Sequence, residues 1–192
     1  MEKIRSFIAV ELPAEIKLAL AKMQAQLKSG GGGRIKWVDP DIMHLTLKFL
    51  GNIDTALTAE ITAALVEACR GLSPFPIGLG GLGVFPNARR VQVVWVGLKG
   101  EVERLARLQQ NIDAVLAPLG FKAENRPFTP HLTLARVRED ATPEERQALG
   151  QLVAVAVPQS GGSFKVDAAH LMKSQLTRNG PIYTRIDSVA LK

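Results

Sequence analysis

The 192 residues carry 46% hydrophobic side chains and a formal net charge of +6, enough apolar material to bury one substantial core and too much for a disordered chain. The positive balance favours a polyanionic partner without identifying one. A single cysteine, Cys69, excludes an internal disulfide, and it sits on a helical stripe with Leu65, Ala68 and Leu72, as a small buried residue would.

In chain order, Met1-Glu2-Lys3-Ile4-Arg5 leads into a largely apolar run of five residues, Ser6 to Val10, before Glu11. That run is too short for a signal-peptide core or a membrane span, so a cytoplasmic protein is expected. Ser6–Leu12 reads as a strand. Pro13 then opens a helix with Ile16, Leu20, Met23 and Leu27 at helical spacing, which Gly30 to Gly33 end as a flexible loop. The glycine run lacks the Gly-Lys-Ser/Thr ending of a phosphate-binding loop, although Arg34 and Lys36 follow it directly and could bring its tip near a substrate. Ile35–Val38 is a short strand and Asp39-Pro40 a turn, and a strand beginning at His44 runs to about Leu50. Asp54 or Thr55 caps a helix with the stripe Leu57, Ile61, Leu65 and Ala68. Strands are expected near Phe75–Leu82 and Val91–Leu98, and a long amphipathic helix from Val102 stops before Gly120. After the approach Pro127-Phe128-Thr129-Pro130 comes a strand beginning at His131. Thr142-Pro143-Glu144-Glu145 is a capping box that starts a helix through about Val155. Strands near Phe164–Met172 and Ile182–Leu191 finish the chain.

The functional signal is a repeat inside this series. The chain has three histidines, and two of them head the same tetrapeptide: His44-Leu45-Thr46-Leu47 and His131-Leu132-Thr133-Leu134. From average residue usage such a match arises by accident roughly once in a thousand cases or fewer, so the pair is read as one site. In each copy His and Thr stand at i and i+2, on one face of a strand, while the leucines point into a core. Two such strands facing each other across a groove would bring together two imidazoles and two alcohols with no carboxylate between them. That inventory suits metal-free acid–base chemistry on a phosphodiester: one imidazole takes a proton from water, the other gives one to the leaving oxygen, and the hydroxyls bind the non-bridging oxygens. Lys48, at i+4 from His44, is expected on the same face. Arg136, at i+5 from His131, falls on the opposite face of an unbulged strand. His170 reads as a structural histidine, Trp37 and Trp95 as packing residues, and Phe7 as core.

These residues carry a family resemblance. The chain resembles the 2H phosphoesterase superfamily, and within it the RNA 2',3'-cyclic phosphodiesterases, also called 2'-5' RNA ligases. The likeness rests on Arg5-Ser6-Phe7-Ile8-Ala9, on Trp37-Val38 before His44-Leu45-Thr46-Leu47-Lys48-Phe49-Leu50-Gly51, and on Gly83-Val84-Phe85-Pro86 and Val94-Trp95-Val96-Gly97. It continues through Phe128-Thr129-Pro130-His131-Leu132-Thr133-Leu134-Ala135-Arg136 and ends with Ser174-Gln175-Leu176 and Gly180-Pro181-Ile182-Tyr183. The resemblance implies an α+β, bilobal, pseudo-duplicated fold in which two antiparallel sheets face across a central groove with helices outside. Residues 1–192 would form one domain of two interleaved pseudo-symmetric lobes. The implied reaction is hydrolysis of a terminal RNA 2',3'-cyclic phosphate to a 2'-phosphate, with reversible 2'-5' joining in some members. By the same resemblance His44 is the proton donor, His131 the proton acceptor, Thr46 and Thr133 bind the phosphate, and Arg136 joins Lys48 as a phosphate or RNA contact. No metal or other cofactor is implied. The expected partner is RNA with a 2',3'-cyclic end, either tRNA fragments or oligoribonucleotides, acted on by a monomer away from membranes. Two other readings stand beside this one: a metal-dependent hydrolase with the histidines as ligands, weakened by the lack of a third ligand in either motif, and a non-catalytic binder of RNA ends.

Overall fold

The computed structural model describes residues 2–30, 34–123, 127–157, 162–178 and 180–192. The expected loop at Gly31 to Gly33 therefore lies outside the described residues. Nine strands and four helices are described: β1 (Lys3–Glu11), α1 (Ala14–Ser29), β2 (Ile35–Trp37), β3 (His44–Asp54), α2 (Thr58–Cys69), β4 (Phe75–Phe85), β5 (Val93–Gly100), α3 (Val102–Leu116), β6 (His131–Val137), α4 (Pro143–Val155), β7 (Ser163–Val166), β8 (Ala168–Thr177) and β9 (Gly180–Ala190).

The strands form two antiparallel sheets, one ordered β3-β1-β8-β9 and the other β2-β6-β5-β4-β7. Each draws on both ends of the sequence. Helices α2 and α3 pack together, α2 against β8 and β9 and α3 against β3, while α4 lies against β4. From α1, the buried Gln24 donates to the carbonyls of Val38 (2.6 Å) and Leu134 (2.9 Å), so this helix backs the β2–β6 end of the second sheet. Leu45, Leu47, Leu132 and Leu134 all enter one continuous core, as their alternation requires. The two sheets meet along β3 and β6, the strands that carry the repeated tetrapeptide.

Two local details differ from the sequence reading. The apolar run expected as one strand over Phe164–Met172 is divided at Asp167: β7 pairs with β4 in one sheet and β8 with β1 in the other. The sequence pattern does not reveal the change of sheet, because the alternation of buried Phe164, Val166 and Ala168 runs on across the break. The helix after β3 begins as a short 3-10 turn capped by Asp54, whose side chain accepts from the Ala56 amide at 3.0 Å. At α4 the capping box is present in both directions between Thr142 and Glu145.

Candidate active site

Each motif histidine is fixed by the residue two places before it. Asp39 caps the 3-10 turn Pro40–Ile42 by accepting from the Asp41 amide (3.0 Å), and Lys17 of α1 donates to the Asp41 carbonyl (2.7 Å). The turn presents the Ile42 carbonyl to His44 Nδ1 at 3.0 Å. In the second copy the Thr129 carbonyl meets His131 Nδ1 at 2.6 Å. A carbonyl only accepts, so Nδ1 is the protonated, donating nitrogen of each ring, and Nε2 is left to exchange a proton. The same wiring at both histidines gives two imidazoles of one tautomer with their reactive nitrogens free.

Aromatic walls repeat as well. Phe7 stacks on His44 with centroids 4.6 Å apart, and Tyr183 meets the same ring edge-on at 4.8 Å. Phe85 meets His131 edge-on at 5.2 Å, and Trp95 lies 6.1 Å away. Phe7, with Ala9 and Met172, forms a small apolar cluster separate from the main core, with Tyr183 packed on it. It is buried, yet on the site face. Trp95, read from sequence as packing, also stands on that face, beside Thr133 and against Phe85. Its six-membered ring covers Gly83, where a Cβ would come 2.2 Å from Cζ2. Sequence reasoning missed Tyr183, Phe85 and Trp95 as walls of the site; their only signal was the presence of aromatics beside glycines in the flanking motifs.

The fourth residue of each tetrapeptide is an extra residue in its strand. Ile8 pairs with Lys48 but Ala9 with Thr46, so Leu47 is a β-bulge; Val94 pairs with Ala135 but Trp95 with Thr133, so Leu134 is another. A bulge reverses the alternation beyond it. Lys48 therefore does not share the face of His44, contrary to the i+4 expectation. It is 2% exposed, forms an ion pair with Asp113 of α3, and donates to the Lys122 carbonyl at 2.9 Å. The position that gains the site face is Phe49, which is 60% exposed. By the same reversal Arg136 is carried onto the face of His131 and Thr133, where an unbulged strand would have turned it away. Its charge acts on Tyr183 across the groove.

A carboxylate that the motif inventory does not include lies beside the first histidine. Glu11 is the cross-strand partner of His44. Its Oε2 lies 3.2 Å from Arg185 Nη1 and 3.9 Å from His170 Nε2. Burial pushes His44 below the ordinary imidazole value; the Ile42 carbonyl and Glu11 oppose this, and Lys17 adds to it. His170, 7% exposed and next to Ala9 on β8, is lowered by burial in the same way. The Tyr183 phenol is raised by burial, with Arg136 and Arg5 pulling it back. Among the described residues no three His, Cys, Asp or Glu side chains are grouped to hold one metal ion.

With this geometry in view, the relatives are informative. Residues 12–178 match the model of the 2'-5' RNA ligase superfamily. The RNA 2',3'-cyclic phosphodiesterase of Methanothermobacter thermautotrophicus is 36% identical over 96% of this chain and 97% of its own, and that of Aquifex aeolicus is 31% identical over 100% and 99%. Among solved structures, Escherichia coli LigT complexed with 3'-AMP superposes with a TM-score of 0.78 at 29% identity, covering 100% of this chain and 99% of that one. TT0787 of Thermus thermophilus gives 0.76 at 29%, covering 98% of each. A match through nearly the whole chain, on a fold that presents two identically wired histidines, places this protein in the 2'-5' RNA ligase superfamily.

Proposed function

We propose that this chain is a hydrolase that opens terminal 2',3'-cyclic phosphates of RNA to 2'-phosphomonoesters, using His44 and His131 as a metal-independent acid–base pair. The observation that carries the reading is the shared wiring of the two rings, each with Nδ1–H on a backbone carbonyl and Nε2 free. His131 Nε2 takes a proton from water as its oxygen bonds to phosphorus. The bond from phosphorus to O3' breaks, and His44 Nε2 delivers a proton to that oxygen. Thr46 and Thr133 donate to the non-bridging oxygens, and Arg136 adds positive charge on the same face. When the 5'-hydroxyl of a second RNA replaces water, the same steps form a 2'-5' linkage.

The acid must be protonated when it acts, and its environment explains how. Burial disfavours the His44 imidazolium in the free protein, while the Ile42 carbonyl and Glu11 oppose that effect. A phosphate anion bound between the threonines adds a second negative charge beside the ring. Substrate binding therefore loads the acid with its proton. The RNA is an oligoribonucleotide or tRNA fragment, handled by a cytoplasmic monomer; among the described residues no helix is long and apolar enough to cross a membrane.

The test is to incubate a short RNA ending in 2',3'-cyclic phosphate with wild type and His44→Ala in chelator and to identify the end group. A 2'-phosphate from wild type alone is expected. A 3'-phosphate product, or activity lost on chelation and restored by a metal ion, would overturn the mechanism. Binding of the RNA without turnover would overturn the assignment as an enzyme.

A further inference from the structure

Beyond the bulge at Leu134, the site face of the second sheet carries a pair of cations. Lys36 on β2 is the cross-strand partner of Arg136 on β6. Paired residues point to the same face, so Lys36 shares the face of His131 and Thr133, and its neighbours Ile35 and Trp37 turn to the core. Both cations are exposed, and neither makes an ion pair or hydrogen bond with any described residue. Like charges directly opposite one another destabilise a sheet, and no described carboxylate is ion-paired with either cation. An anion from outside would offset the pair.

The two cations are not equivalent. Arg136 follows Thr133 by two paired positions, about 7 Å along the strand, and its charge is felt at Tyr183 on the facing sheet. It therefore serves the nucleotide whose phosphate reacts. Lys36 is displaced sideways from it by a further strand spacing of about 4.8 Å, on the three-residue edge strand of the sheet. A single terminal phosphate held between Thr46 and Thr133 leaves Lys36 without a partner.

Resting on the proposed function, we infer that Lys36 is a second phosphate subsite, which holds the internucleotide phosphate preceding the cyclic end and makes the protein prefer oligoribonucleotides to cyclic mononucleotides. The RNA chain accordingly leaves the site over the β2 edge of the second sheet.

The test compares wild type, Lys36→Met and the control Lys165→Met, which removes an exposed lysine from β7 at the other edge of that sheet. Each is assayed on 2',3'-cyclic AMP and on a short oligoribonucleotide ending in 2',3'-cyclic phosphate, across a series of salt concentrations. For Lys36→Met the oligoribonucleotide KM should rise about fivefold with kcat unchanged, the upper end for one exposed ion pair. The salt dependence of log kcat/KM should lose about one unit of slope. The cyclic mononucleotide and the Lys165→Met control should show neither change. Equal losses on both substrates would place Lys36 at the reacting phosphate, and no loss on either would remove it from the RNA path; each result overturns the inference. Should wild type turn over neither substrate, the functional reading fails separately. Binding of a labelled oligoribonucleotide ending in 2'-phosphate to the same three proteins then decides the role of Lys36.

Discussion

Replacing Lys48 by methionine separates a buried brace from a substrate contact. The Lys48 side chain is 2% exposed and that of its partner Asp113 16% exposed. Lys48 also supplies the Lys122 carbonyl with a donor, and Asp113 keeps a 2.8 Å bond from Gln109 Nε2 after the change. Removing one member of a buried ion pair leaves an uncompensated charge and costs about 3–5 kcal/mol. Because Asp113 is partly exposed and retains Gln109, the low end applies, about 3 kcal/mol. For a chain of this size each kcal/mol moves Tm by roughly 2–4 °C, so thermal unfolding followed by circular dichroism should show a loss of about 6–12 °C. Lys48→Met with Asp113→Leu should recover much of it, since well-packed apolar residues replace a buried pair at little cost. Assayed well below its Tm, the single variant should keep its KM for cyclic-phosphate RNA. An unchanged Tm with a KM raised tenfold would refute the geometry and return Lys48 to the phosphate.

Other outcomes are expected from the same contacts. His44→Ala or His131→Ala should each lower kcat by about 10²–10⁴, and the double variant should be little slower than either single one, because the two act on one step. Since burial lowers His44 in the free protein and bound phosphate opposes this, the alkaline limb of kcat/KM should lie at lower pH than that of kcat; Glu11→Gln should move the kcat/KM limb to still lower pH. Burial also lowers His170 below its ordinary value of 6.5, so the unfolded chain binds the extra proton first: the contribution of His170 to urea stability is intact above about pH 6.5 and should be lost as pH falls from there, and His170→Gln should flatten that loss. Gly83→Ala places a methyl into the ring of Trp95 and should tilt the wall of His131, costing about tenfold or more in kcat/KM while binding of a cyclic mononucleotide changes less.

The sequence made the repeated motif and the direction of its first three residues legible because both depend on local pattern. His44 and Thr46 alternate with two leucines, and the core claims the leucines. The residues just past each motif were not legible, because a bulge depends on how the partner strand is paired. Lys48 and Arg136 were placed on opposite faces from those they occupy for that one reason. The aromatic walls were hidden in a similar way. Trp95 among valines has the composition of a core strand, but alternation sends Val94 and Val96 to the core and Trp95 to the site, where Gly83 leaves room for its ring. Glu11 lies far from His44 in sequence, and only the β1–β3 register brings them side by side.

The paired bulges also explain how two strands with the same tetrapeptide can hold an asymmetric substrate. Through the tetrapeptide the two strands are identical, and both rings are wired alike, as a phosphorus centre attacked on one side and left from the other requires. Beyond Leu47 and Leu134 the same reversal exposes the fifth residue after each histidine, and there the strands diverge. One presents Phe49, with its neighbouring lysine withdrawn into the Asp113 pair; the other presents Arg136, with Lys36 alongside. Past the shared aromatic walls, one flank of the site thus adds a further aromatic ring and the other a pair of cations. A cyclic-phosphate RNA end has the same division: its base offers a flat aromatic face, and the chain leading away from it is charged. In the proposed mechanism the phosphate at the centre meets like groups from both sheets, and the unlike groups at the flanks set which way round the nucleotide lies. In the proposed mechanism that orientation sets which ribose oxygen receives the proton from His44. Exchanging the flanking residues, Phe49→Arg with Arg136→Phe, should therefore lower kcat/KM far more than removing an equal charge elsewhere, with both histidines intact; an exchange variant that stays folded and keeps wild-type kcat/KM would show that orientation is set by other groups.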